Sequence, residues 1–433
     1  MPNLVPAILP LLEEHRLPGL DAGPRVIYPH YQGYSLANLP SSICGWLGVP
    51  PFGAPPLADT ILNSFPQAGP FQNVILLLVD GLGLKQFQRL LQPEHEKTIG
   101  SSVWTRLLPD ALLSPLTSVV PSTTSAALTT LWTGVLPAEH GIVGYEVWLK
   151  EYSVIANMIF HSPASFSGDT GGLKRAGFQP EAFLPVPTLG PHLVEHGVQP
   201  YSFHPASIAR SGLSVMHMPQ VNIVPYRTLS DLWVTLANLL ESRPDERKYI
   251  YSYWGDLDEL MHRYGPDDER VMLELASFSL LLERFLVGLH NRRRGNTLFL
   301  MLADHGQIFT PRNSSFELRT HPDLANCLAM LPSGEGRFSY LFVRPGREAQ
   351  VQAYVEHAWH GQFRLLPAEQ VARSGLLGDA TRFPRVLDRL GDWILIAQDD
   401  AYLWWADREN PMLGRHGGLS SAEMLVPFIG MLL

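Results

Sequence analysis

Two cysteines, Cys44 and Cys327, are all the chain carries, too few and too far apart for a disulfide framework or a zinc-finger spacing. Both read as small buried hydrophobes in a reducing compartment. Charge is also scarce. Asp, Glu, Lys and Arg make up 17% of residues, the formal net charge is -9, and there is no long basic run. That argues against binding along a DNA or RNA polymer. It leaves a small phosphorylated substrate open, because a bound metal can invert the local field. No apolar run reaches the roughly 18 residues of a membrane span, so none is expected. The stretch "MPNLVPAILPLLEEHRLPGL" lacks a basic opening segment, and Pro10, Glu13 and Glu14 interrupt its apolar residues. No signal peptide is expected there, and the expected location is cytoplasmic. Nor is there a repeat of about 20–50 residues.

What is present fits a globular protein with a sizeable core: 45% of the 433 residues are hydrophobic. Residues 1–68, rich in proline and glycine ("VPPFGAPPLADT"), read as an arm with a few short helices packed on the core. "NVILLLVDGLG" is apolar throughout until Asp80, which suits a strand covered on both faces. "LKQFQRLLQ" then reads as a helix. The same grammar returns in "KYIYSYWGDLDELMHRYGP" and "NTLFLMLADHG". Between these, "ERVMLELASFSLLLERFLVGLHNRR" has a helical pattern with Leu273, Leu280, Leu281 and Phe285 on an apolar face. Strand–helix–strand alternation predicts an α/β fold with a mostly parallel central sheet flanked by helices. Residues 69–320 and 410–433 are expected to form this catalytic core. Residues 321–409 read as a smaller α+β insertion, with a late hairpin-like pair in "DWILIAQDDAYLWWA".

In parallel sheets, ligands bind beyond the carboxyl ends of the strands. Asp80, Asp304 and His305 end two of the predicted strands. Asp258 and His262 follow a third, at i and i+4, which places both on one face of a helix. His416 sits in the glycine-flanked "GRHGG". In "PSTTSAALTTLWTG" a loop turns into a helix at Thr123 and Thr124. A hydroxyl in that place ordinarily caps the helix. Each acid or imidazole alone has an equally ordinary reading as turn former or loop residue. Together they make three carboxylates, three imidazoles and a hydroxyl, a donor set for two divalent ions, with zinc favoured and manganese the alternative.

The order of these parts resembles the alkaline phosphatase superfamily, within it the type I phosphodiesterase/nucleotide pyrophosphatase branch, over about 72–433. "VDG" resembles the branch's first metal-binding strand end, and "PSTTSAALTTLWTGVLPAEHGI" its nucleophile helix. "DLDELMHRYGP", "ADHG" and "GRHGG" resemble its remaining metal motifs. The resemblance implies that Thr124 is the nucleophile. It implies one metal held by Asp258, His262 and His416, and another by Asp80, Asp304, His305 and the Thr124 oxygen. It implies hydrolysis of phosphodiesters or pyrophosphates through a phosphothreonine; phosphomonoester or phosphonate hydrolysis on the same site, or a non-catalytic protein keeping the fold, are the alternatives. One departure stands out: the branch has an asparagine three residues after the nucleophile, and this chain has Ala127. The amides of Thr124 and Ser125 and the side chain of Asn157 are candidate replacements, and Asp256 is a reserve ligand. His140 and His321 are read as structural. Lys85, Arg319, Arg337 and Arg415 are read as surface or ion-pair residues, Trp404 and Trp405 as core, and Tyr31 and Tyr34 as packing within the arm.

Overall fold

The computed structural model describes residues 2–91, 99–165, 169–290 and 297–433. Gln92 of the first helical segment and residues 291–293 of the long one lie outside them. Seven strands form the central sheet: β1 (Asn73–Val79), β2 (Leu112–Thr117), β3 (Gln199–Pro205), β4 (Asn222–Tyr226), β5 (Lys248–Trp254), β6 (Thr297–Leu302) and β7 (Leu425–Leu432). Their spatial order is β2-β7-β6-β1-β5-β3-β4. β1 pairs in parallel with β5 and β6, and β3 in parallel with β4 and β5. β7 runs antiparallel between β2 and β6. Every residue of β1, β5 and β6 is buried, as strands covered on both faces require. This is the mostly parallel, helix-flanked sheet that the sequence predicts.

The long helix, Glu269–His290, is present, and of its expected apolar face Phe285 is buried and Leu281 half-buried on the core, but the other two residues face out. Leu273 and Leu280 are 59% and 38% exposed, while Val271, Leu275, Phe278, Leu282 and Phe285 are buried. Aromatic packing sets this orientation. Phe278 stacks on Trp254 with centroids 4.2 Å apart, and Phe285 on Trp233 at 4.8 Å. Phe278 and Phe285 thus outweigh Leu273 and Leu280 in choosing the inward stripe.

A second sheet is antiparallel. Its spatial order is Phe363–Pro367, Trp393–Ala397, Phe338–Leu341, Ser333–Glu335, Glu146–Leu149, Val154–Asn157 and Ser162–Pro163. It therefore draws strands from 146–163 as well as from 333–397, joined where Gly334 pairs with Glu146. The hairpin expected in "DWILIAQDDAYLWWA" is a single strand. After Ala397 the chain turns at Asp399, whose φ is positive, and Trp404 makes only an isolated bridge to Glu317. The turn carries the two tryptophans away from the sheet and toward the site.

The arm adds short helices, Val5–Glu14 and Leu39–Trp46 among them, and bridges β2 at Asn3–Leu113 and Ser35–Thr117. Its Ile8, Leu12, Leu36 and Ile43 belong to the main hydrophobic core. Cys44 is buried as expected, but Cys327 is only half-buried, with its Sγ 3.7 Å from Gln350 Oε1. Among the described residues no helix is long and apolar enough to cross a membrane.

Candidate active site

Parallel pairing puts the carboxyl ends of β1, β5 and β6 on one edge of the sheet. Asp80 follows β1 directly, and its N–H donates to Trp254 O at the end of β5 (2.9 Å). Asp304 lies two residues beyond β6, where its Oδ1 accepts from Gly81 N (3.2 Å) and His305 N (3.0 Å). Asp258 and His262 lie on the helix Asp256–Tyr264 with His262 Nε2 3.2 Å from Asp258 Oδ2, so the i, i+4 expectation holds geometrically. Gly81 lets the helix come this close: its φ is 75°, and a Cβ there would lie 3.0 Å from Asp258 Oδ1. β7 runs antiparallel, so the loop before it returns to this edge and brings His416.

All seven side chains named from the sequence meet here. Ligand atoms of Asp80, Asp304 and His305 lie within 4.8 Å of one another, and so do those of Asp258, His305 and His416. His305 thus reaches both groups, whereas the resemblance assigns it to one. His262 joins through Asp258 and packs 5.0 Å, centroid to centroid, from His416. Asp256 takes no part: it is exposed and accepts from Trp254 Nε1 (3.1 Å).

The three imidazoles share one feature. Each has its Nδ1 against a backbone carbonyl: His262 on Gly414 O (2.9 Å), His305 on Gly306 O (3.1 Å) and His416 on Ser122 O (3.1 Å). With Nδ1–H donating outward, every Nε2 turns its lone pair to the common centre, as metal-binding imidazoles do. Acceptors then face acceptors. His305 Nε2 is 3.5 Å from both Asp80 Oδ1 and Asp304 Oδ2, and those two carboxylate oxygens are buried without a hydrogen-bond partner. Burial, and then Asp304 beside it, raise the Asp80 pKa well above the usual carboxylate range. Burial likewise raises that of Asp304. Asp258 is the exception. Burial opposes its charge, yet His262 holds its pKa far below normal, and a proton shared by that pair satisfies it. His416 has no such remedy, since burial and then His305 keep it neutral. Orphaned carboxylate oxygens facing bare imidazole nitrogens are the arrangement that divalent cations satisfy.

Thr124 opens the helix Thr124–Thr133, whose capping position is Thr123. Neither hydroxyl caps it. Thr123 instead lies beside Glu335 on the cavity wall. Thr124 Oγ1 lies 3.4 Å from Asp80 Oδ2 and 3.2 Å from His305 Nε2, at the positive end of the helix dipole. Ala127 is fully buried and is not among the residues that line the cavity, so it brings no polar group to the site. Asn157 holds a turn, its Oδ1 accepting from Ile159 N and Phe160 N.

A cavity of about 560 Å³ opens on Thr124, Asp258, His262 and His416. Its far wall was not legible from motifs: Glu146 and Glu335 come from the second sheet, Tyr145 from the residue just before it, and Trp404 and Trp405, expected in a core, line it half-buried. Two buttresses of the acids were missed as well. Tyr253 donates its hydroxyl to Asp80 Oδ2, and Gln307 Nε2 donates to the Asp258 carboxylate and carbonyl. Strand alternation at Tyr253 and proximity to Asp304 for Gln307 were the available signals.

The other residues serve structure. His140 is buried between Thr130 Oγ1 (3.1 Å) and Ile142 N (3.1 Å), and His321 bonds Tyr354 and Ser315. Lys85 is exposed, Arg319 pairs with Glu317, and Tyr31 donates to Leu376 O. Tyr34 is half-buried against His30. Arg415 lies over the Tyr402 ring at 3.7 Å and bonds Thr310 and Asn410. Arg337 forms a fully buried two-pronged pair with Glu423 (2.7 and 2.9 Å), which also accepts from Gly418 N (2.8 Å) and so pins the His416 loop. Arg337→Ala would strip the buried Glu423 of its cationic partner, leaving only neutral donors. We expect a loss of about 3–5 kcal/mol in urea unfolding; a change within about 0.5 kcal/mol would show that the pair does not hold the loop.

Comparisons with known proteins agree with this geometry. The family described as Type I phosphodiesterase / nucleotide pyrophosphatase matches residues 74–419. No curated protein matches by sequence. Among solved structures, murine ectonucleotide pyrophosphatase / phosphodiesterase 5 superposes with a TM-score of 0.60 at 15% identity, covering 83% of this chain and 87% of its own. An inactive, singly substituted form of that protein in complex with AMP superposes equally well. Phosphonoacetate hydrolase from Sinorhizobium meliloti, in complex with phosphonoformate, gives 0.56 at 19% identity, covering 82% and 89%. At such identities the structures speak for the fold, while the family match spans most of the chain. With the fold and the sequence match in agreement, the chain belongs to the type I phosphodiesterase/nucleotide pyrophosphatase family and is a phosphoric ester hydrolase.

Proposed function

We propose that the protein cleaves phosphodiester or pyrophosphate bonds of small substrates through a covalent phosphothreonine on Thr124, with two divalent cations, zinc in preference to manganese. The carrying observation is the set of buried, unpartnered carboxylate oxygens on Asp80 and Asp304 facing His305 Nε2 beside the Thr124 hydroxyl. Asp258, His262 and His416 would hold one cation. Asp80, Asp304, His305 and the Thr124 oxygen would hold the other. When bound, such cations supply positive charge to phosphoryl oxygens and lower the pKa of hydroxyl groups and water.

The chain's own residues do the rest. Thr124 Oγ loses its proton to solvent and forms a bond to phosphorus as the ester oxygen departs with the bonding pair and takes up a proton. The oxygen of a water then bonds to phosphorus, Thr124 Oγ departs with its bonding pair, and a proton from that water restores the hydroxyl. The backbone N–H groups of Thr124 and Ser125 lie in the first turn of their helix, where amides have no carbonyl partner within it. They take the phosphoryl oxygen that the asparagine would otherwise hold, and the helix dipole adds about half a positive charge. Asp80 is held by Tyr253, and Asp258 by Gln307, so the acids are fixed before substrate arrives.

AMP on the murine relative makes a nucleotide one candidate substrate, and the phosphonoacetate hydrolase neighbour keeps phosphonates and monoesters as the second reading. Turnover of bis(p-nitrophenyl) phosphate against p-nitrophenyl phosphate separates them. The diester should lead by at least about tenfold in kcat/KM, roughly 1.4 kcal/mol at the transition state. A monoester preference would move the assignment to a phosphatase.

A further inference from the structure

We propose that the cavity beside Thr124 selects a phosphoester whose second alcohol carries an organic cation, a primary or quaternary ammonium, held by Glu146 and Glu335 against the rings of Tyr145, Trp404 and Trp405. The proposal rests on the phosphodiesterase reading of the same site. All five residues line the cavity that contains Thr124. The chemistry of the wall is unusual for one that must admit a phosphoester. It offers two carboxylates and three aromatic faces, where an anionic substrate would call for basic groups away from the metal centre.

Neither carboxylate has an ion-pair partner among the described residues. Glu146 Oε2 accepts from Trp405 Nε1 (3.0 Å), and Glu335 Oε1 from Tyr145 N (2.8 Å), both neutral donors. Burial, with Glu146 adding to it, pushes the Glu335 pKa up to about 7, and burial raises that of Glu146. Both carboxylates are half-buried, and a carboxylate that gives up water without an ion-pair partner keeps part of that cost, which an arriving cation relieves. Of the two arginines lining the cavity, Arg415 is spent on Thr310, Asn410 and Met412. Arg408 is exposed at the mouth, 5.9 Å from the Trp404 ring centroid; its charge draws the Glu146 pKa down somewhat, but it forms an ion pair with neither glutamate. Glu259, also exposed at the lining, adds negative charge. Tryptophan and tyrosine faces beside carboxylates are the surroundings in which alkylammonium groups bind from water. Glu335 also lies beside Thr123, the neighbour of Thr124, on the lining of one cavity, so the cation site joins its reacting end.

The test compares three p-nitrophenyl phosphodiesters that share one leaving group. Their second alcohols are choline, its uncharged 3,3-dimethylbutyl isostere, and thymidine through its 5′ oxygen. The choline ester should exceed the isostere by at least about tenfold in kcat/KM. That ratio should fall to near one in the Glu146→Gln/Glu335→Gln double variant. Equal turnover of choline ester and isostere, or a lead for the thymidine ester, would overturn the inference and leave the phosphodiesterase reading standing. Calorimetric titration with tetramethylammonium reads the site without turnover. Binding that the double variant loses supports the inference even where no ester is cleaved, an outcome that would sink the hydrolase mechanism alone. Absence of binding to the wild type would overturn it.

Discussion

Thr124→Ala is expected to fold as the wild type does, keep its metal, and lose at least about 10³-fold in kcat on an aryl phosphodiester. Removing a covalent nucleophile commonly costs this much or more, and what remains comes from groups that still bind and polarise the substrate. The expectation of an intact fold has a structural reason. The Thr124 hydroxyl does not cap its helix, and it contacts only Asp80 and His305 within the site. Its loss leaves no core cavity and no unpaired helix amide that was paired before. Thr124→Ser keeps the oxygen and should retain most of the rate. Circular dichroism, elemental analysis and single-turnover kinetics together make the comparison. An alanine variant within about tenfold of wild type would mean that water attacks phosphorus directly.

The second large effect concerns the cations. Prolonged chelation should bring hydrolysis to background, and added zinc should restore it more fully than manganese. It should also lower the thermal midpoint. Asp80 and Asp304 are buried beside each other, and burial and mutual repulsion already raise the Asp80 pKa. Without a cation these acids must take up protons or endure like charge in a dry site. A ligand that binds only the native state at about 100 times its Kd adds about 2.7 kcal/mol of stability, so readdition should recover the midpoint as well as the rate. Full activity after exhaustive chelation would remove the metal from the account.

Much of this was legible in the residues because it is local. A strand apolar along its whole length announces burial on both faces, and the acid that ends it marks the edge where ligands collect. That logic located Asp80, Asp304 and His305. The i, i+4 step placed Asp258 with His262. What stayed hidden depends on tertiary packing. The inward face of Glu269–His290 was decided by Trp254 and Trp233, which lie far off in sequence. The substrate wall needed the pairing of Gly334 with Glu146 across almost 190 positions, which no short pattern encodes. The departure at Ala127 is of the same kind: the residue is buried and brings no donor, and which group replaces the branch's asparagine depends on the three-dimensional surroundings of Thr124.

The most direct measurement is anomalous diffraction from crystals of the protein with zinc, collected above and below the zinc absorption edge. Two peaks should appear, one enclosed by Asp80, Asp304 and His305 beside Thr124, the other by Asp258, His262 and His416. A single peak, or density bound anywhere but between these side chains, would contradict the two-cation centre from which the chemistry has been derived.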